Sequence, residues 1–149
     1  VKIEHVTIGE NPDLLRVAIY HAAIDTQHGL FLHKTDSLLT RGLYTQLDQE
    51  YKPRSVDELI FVNQDGFVTE SRYHNLIIDY NGILMTPPTI HGLLPGVYRQ
   101  KMLEIGNLIE HGITPVMLEQ ANAIYLCNDV RGLVKCQLVT NGVNDVINN

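Results

Sequence analysis

The 149-residue chain has no run of basic residues, and its formal net charge is −6. Nucleic-acid backbones and anionic membrane surfaces call for clustered Lys and Arg, so neither is an expected partner. No apolar run approaches the roughly 20 residues of a membrane-spanning helix, and no signal-peptide pattern opens the chain. Cysteine is scarce. Cys127 and Cys136 stand in apolar, strand-like contexts, which reads as two reduced thiols and a cytoplasmic location. The seven histidines form no His-Glu-x-x-His pattern and no close His/Cys cluster, so no metal site is expected. Gly-x-Ser-x-Gly, the phosphate-loop signature and Gly-x-Gly-x-x-Gly are absent as well. Repeats, low-complexity tracts and linkers are missing too, which points to one domain.

What is present is an ordinary globular composition with strand and helix patterns. Residues 16 to 24 read as a buried strand, and Leu30 to His33 as a short one after Gly29. Leu39, Leu43, Leu47 and Tyr51 recur every four residues, so a helix is expected from Asp36 to Tyr51, with Thr35 or Asp36 as its cap and Pro53 as its stop. Leu59–Asn63 and Phe67–Glu70 flank the turn Gln64-Asp65-Gly66. Leu76–Tyr80 and Ile83–Thr86 flank Asn81-Gly82, a strong hairpin signal. A second helix is expected from Val97 to His111, with Gly112 beyond its end. Val116–Leu118, Ile124–Cys127 and Leu133–Val139 read as three further strands. The fold class that follows is α/β in the sense of a mixed α+β sheet, barrel-like, with two helices.

Four places could carry chemistry. Lys34 lies between an apolar stretch and a helix start. Partial burial there would lower its pKa toward Schiff-base chemistry, although the same position suits a plain surface lysine. Glu70 ends a hairpin strand. It could pair with a cation in a cleft, such as the ring nitrogen of a pyridine cofactor, or be an ordinary edge-strand glutamate. Gly92-Leu93-Leu94-Pro95-Gly96-Val97-Tyr98-Arg99 runs from a loop into a helix, where free backbone N–H groups can hold a phosphate. Asn128-Asp129 lies in a polar turn between two apolar strands, and that turn could reach a ligand.

In this order, these segments resemble the class IV (fold type IV) aminotransferases, which depend on pyridoxal 5′-phosphate (PLP). The family includes branched-chain and D-amino-acid aminotransferases and aminodeoxychorismate lyases. His33-Lys34-Thr35 is similar to the family's lysine segment. Asp57-Glu58-Leu59 through Gly66-Phe67-Val68-Thr69-Glu70 to Asn75-Leu76 is similar to its most diagnostic signature. Leu84-x-Thr86-Pro87-Pro88 and Leu94-Pro95-Gly96-Val97-x-Arg99 follow, with 36 residues from Lys34 to Glu70 and 24 from Glu70 to Leu94. The resemblance implies that Lys34 holds PLP as a Schiff base and, when released, moves the substrate Cα proton. It implies that Glu70 pairs with the pyridinium nitrogen, that Leu94 packs on the ring, and that Val97 and Tyr98 offer amides to the phosphate. It also implies that the Asn128-Asp129 turn lies nearby.

Three positions depart from common family patterns. Leu38 and Leu39 stand where many members have Arg or Tyr, and Asp129 where Ser or Thr is frequent. Asp129 would repel a phosphate unless it points away. These departures leave room for a non-catalytic relative. The Cys127–Val134 turn is more similar to that of aminodeoxychorismate lyases, which eliminate pyruvate from 4-amino-4-deoxychorismate to give p-aminobenzoate for folate synthesis. An aminotransferase is the alternative. Residues 1 to 149 are expected to be the C-terminal pseudo-barrel domain of a homodimeric enzyme acting on a small molecule. A smaller N-terminal domain, carrying a phosphate-binding arginine, is expected to precede Val1.

Overall fold

A computed structural model of the chain describes residues 12–27 and 41–140. Lys34, the expected strand at Leu30–His33, the cap at Thr35 or Asp36, and Leu38 and Leu39 lie outside these residues.

The strands are β1 (Leu15–Ile24), β2 (Glu58–Asn63), β3 (Val68–Ser71), β4 (Asn75–Tyr80), β5 (Ile83–Thr86), β6 (Ile109–Glu110), β7 (Ala123–Asn128) and β8 (Gly132–Leu138). The helices are α1 (Arg41–Tyr51), α2 (Val97–Ile105) and α3 (Pro115–Gln120). All eight strands form one mixed sheet in the order β3-β2-β1-β8-β7-β4-β5-β6. An additional β3–β4 pairing closes six of them into a ring, with β5 and β6 as an extension. β4 makes this possible by splitting one edge. Asn75 pairs with Glu70 of β3, while Ile78 to Tyr80 pair with β5. The α/β pseudo-barrel expected from the sequence is therefore the observed fold.

Strand alternation explains why β2 and the start of β4 are buried on both faces. Val17, Ile19, Ile60, Leu76, Ile124 and Leu126 belong to one apolar cluster, the barrel interior. Their neighbours point outward. Ala18, Tyr20, Leu59 and Phe61 pack under α1 through Tyr44 and Leu47. Ile77 and Cys127 pack under α2 with Tyr98 and Met102. Of the expected α1 stripe, Leu43, Leu47 and Tyr51 all pack on the cluster under α1 and Leu39 lies outside the described residues, while Tyr44 and Asp48 are buried beside them.

Both expected hairpin turns form. Gly66 (φ 82°), Asn81 (φ 53°) and Gly82 (φ 82°) take left-handed backbone, which Asn-Gly accommodates with little strain.

Two expectations are corrected. The helix expected over Val97–His111 stops at Ile105. Gly106 caps it in the left-handed conformation (φ 85°), and its N–H donates to Leu103 O. Leu108 then turns inward, and Ile109–Glu110 pairs in parallel with Met85–Thr86. Gly112 is not a helix cap. A Cβ there would lie 2.9 Å from the Phe67 ring, so the residue permits close packing. The strand expected at Val116–Leu118 is instead part of α3. Thr114 caps that helix by accepting the Met117 N–H at 3.2 Å, and Pro115 stands in its first turn.

Candidate active site

Glu70 lies at the β3 edge facing Asn75 across the register. Its side chain is buried, and its Oε2 accepts the Leu94 N–H at 3.1 Å. Asn75 Nδ2 stands 3.5 Å from the same oxygen, and the Tyr44 hydroxyl stands 3.5 Å from Oε1. No Lys, Arg or His hydrogen-bonds to the carboxyl among the described residues. Burial therefore dominates, and the Glu70 pKa is pushed up from 4.5 to about 8 despite the Leu94 N–H, the Tyr44 hydroxyl and the more distant Arg99. The position suits a cation that arrives from outside.

Asn75 and Gly96 connect this carboxyl to α2. Asn75 Nδ2 donates to Leu94 O at 2.8 Å, so Leu94 is held at its N–H by Glu70 and at its carbonyl by Asn75. A Cβ on Gly96 would fall 2.1 Å from Asn75 Oδ1, so only glycine permits this approach. Gly96 is also the N-cap of α2, where no side chain caps the helix. The Val97 and Tyr98 amides are thus free of any side-chain cap and sit at the positive end of a nine-residue helix. Arg99 is buried and donates through Nη2 to Pro87 O at 2.9 Å, and it pairs with Glu110. This fixes α2 against the loop after β5.

The β7–β8 turn closes the same end of the barrel. Asn128 Oδ1 accepts the Val130 and Arg131 N–H groups at 3.1 and 2.7 Å, and its Nδ2 donates to Tyr73 O at 3.2 Å. The Asn128 side chain therefore shapes the turn and ties it to the segment after Glu70. Asp129 is exposed and points to Lys101 of α2, Nζ to Oδ1 3.0 Å. Tyr98 lies beneath the turn, where a Cβ on Gly132 would be 3.7 Å from its ring.

The structure thus places Glu70 against Leu94 and links Asn128 to the turn after Glu70. Tyr44 and Asn75 are contacts of Glu70 that sequence reasoning did not single out. Asn75 was visible only as part of a motif. Tyr44 lies beside the four-residue stripe that marked the helix, and no local signal singled it out. Among the described residues no group of three His, Cys, Asp or Glu side chains could hold a metal ion, and no helix is long and apolar enough to cross a membrane.

Comparison with known proteins identifies relatives of this chain. The model of the amino-transferase class IV family matches residues 3–139. A Schizosaccharomyces pombe protein, provisionally named aminodeoxychorismate lyase, is 28% identical over 111 residues, covering 70% of this chain and 47% of that protein. This chain therefore spans about half the length of that curated relative. A Mesorhizobium loti structure, provisionally named an amino-acid aminotransferase, is 33% identical with a TM-score of 0.77, over 85% of this chain and 60% of that one. The PLP-bound form of a hypothetical aminotransferase from Mycobacterium tuberculosis shares the fold. Its TM-score is 0.73 at 18% identity, over 88% of this chain and 50% of that one.

Proposed function

The chain belongs to the amino-transferase class IV family, whose cofactor is PLP, and from that premise we propose that it is the C-terminal, cofactor-binding domain of a longer enzyme. The observation that carries this reading is Glu70. It is a buried carboxyl with no cationic hydrogen-bond partner among the described residues, held by Leu94 N–H beside an uncapped helix N-terminus. A protonated ring nitrogen is the partner such a carboxyl lacks, and a phosphate is the ligand such a helix start suits. The residues present therefore fit PLP.

When bound, PLP withdraws electrons from the carbon that carries the substrate amine. In this reading Glu70 keeps the ring nitrogen protonated, and Leu94 packs on the ring. The Val97 and Tyr98 amides bind the phosphate, with the turn at Asn128 and Asp129 closing the far side. The Asp129 charge is offset by Lys101, so it does not oppose an anion there. Lys34 holds the cofactor covalently and, when free, takes the substrate proton.

For the whole protein we favour 4-amino-4-deoxychorismate lyase, with p-aminobenzoate and pyruvate as products. The polar turn at Asn128-Asp129 and the S. pombe relative support it. The 33% identity to the M. loti protein supports a second reading, amino-group transfer from an amino acid, for which the family resemblance suggests branched-chain or D-amino acids. We expect a cytoplasmic homodimer whose N-terminal domain completes the phosphate site. The test is to supply the full-length protein with PLP and assay both reactions. Pyruvate released from 4-amino-4-deoxychorismate supports the lyase. Transfer to 2-oxoglutarate without such release overturns it in favour of the aminotransferase.

A further inference from the structure

The turn between Glu70 and Asn75 is fixed by a buried cluster. Residues 72 to 74 join β3 to β4, and the turn they make with Ser71 is closed by its own atoms. The Ser71 N–H donates to His74 O at 3.0 Å, and the His74 N–H donates to Ser71 Oγ at 3.1 Å. Glu58, at the start of β2, reaches into this turn. Its Oε1 lies 2.8 Å and its Oε2 3.0 Å from His74 Nδ1, and Ser71 Oγ donates to the same carboxylate. Glu58, Ser71 and His74 are 7%, 1% and 6% exposed, so the cluster is shut off from water. A second acid–base pair flanks it, with Arg72 Nη1 3.7 Å from Asp48 Oδ2.

Withdrawing a carboxylate and an imidazole from water offsets most of their attraction, so such a pair adds little net stability. What it does add is placement. The two residues bordering the turn are Glu70 and Asn75, and these hold Leu94 at its N–H and its carbonyl. A turn free to shift would move both grips together, along with the start of α2.

We propose that Glu58 and His74 are positioning residues for Glu70: bonded to each other and to Ser71, they fix the 71–74 turn so that Glu70 and Asn75 meet Leu94 in one geometry. The proposal rests on the reading of Glu70 as the ring-nitrogen carboxylate. The effect of Glu58 and His74 is carried by the turn to the two residues that border it, Glu70 and Asn75.

The experiment uses the full-length protein with 13C-labelled glutamate carboxyls, Glu70 being assigned by its loss in Glu70→Gln. In the cofactor-free form, His74→Ala should lower the Glu70 titration midpoint, because a loosened turn admits water. It should also weaken PLP binding roughly tenfold, the low end of what loss of outer-shell partners costs at metal sites. His74→Asn, whose amide can stand in for Nδ1, should restore most of both. An unmoved midpoint with PLP affinity within twofold of wild type overturns the proposal. Should His74→Ala not fold, Ser71→Ala takes its place with the same expectations, and failure of that variant to fold also overturns it. If Glu70→Gln binds PLP with an unchanged absorption spectrum, the ring-nitrogen reading fails instead, while the midpoint shift still reports on the turn.

Discussion

A carboxyl group buried as Glu70 is keeps its proton up to about pH 8 in the cofactor-free chain, whereas the unfolded chain releases it near 4.5. Between those values the folded state binds more protons than the unfolded one, so stability falls as pH rises. Below about 4.5 both states are protonated, and above about 8 both are ionised. The melting temperature of the PLP-free protein should therefore decline across that window. Glu70→Gln should flatten the decline only in part, because burial also raises Asp48. A slope unchanged in Glu70→Gln would contradict this account of the residue. Asp129 is the opposite case. Its pair with Lys101 is more than half exposed at both ends, so Asp129→Ala should change stability by no more than about 1 kcal/mol in a denaturant titration. Glu70 and its 24-residue spacing to Leu94 could be read from the sequence, because a motif preserves order. The contact with Tyr44 could not, because it depends on the rotation of α1 about its axis.

At the scale of elements, the meeting of β3, β4 and the start of α2 depends on Gly96. Gly96→Ala would drive a methyl group into Asn75 Oδ1, 2.1 Å away. It should destabilise the fold by roughly 1–3 kcal/mol, the usual range for overpacking, and weaken PLP binding. Thermal unfolding and cofactor titration measure the two effects. Most strands were legible because short apolar runs and the Gly66 and Asn81-Gly82 turns between them are local signals. Two elements were not. Met102, Ile105, Leu108 and Ile109 imitate a continuing helix face, yet Gly106 ends α2 and leaves Ile105 exposed. Val116 to Leu118 imitate a strand, but the Thr114-Pro115 pair starts a helix. In both cases the capping residue outweighed the apolar pattern.

At the scale of the whole molecule, six strands close on themselves through the Glu70–Asn75 pairing. The site residue therefore sits at the seam of the barrel. The interior is continuous, so a cavity at its centre should be felt throughout. Leu76→Ala, at a fully buried position, should cost about 2–5 kcal/mol by chemical denaturation. The seam at which the barrel closes was not legible in the sequence, because it depends on β4 dividing one edge between β3 and β5. The residue pattern gave a mixed, barrel-like sheet, and the family resemblance supplied the pseudo-barrel. The central claim is that this domain holds PLP through Lys34. The most direct measurement is borohydride reduction of the PLP-loaded full-length protein, followed by peptide mass spectrometry. The account predicts a pyridoxyl adduct on the Lys34 peptide that disappears in Lys34→Ala. An adduct on another lysine, or none at all, would contradict it.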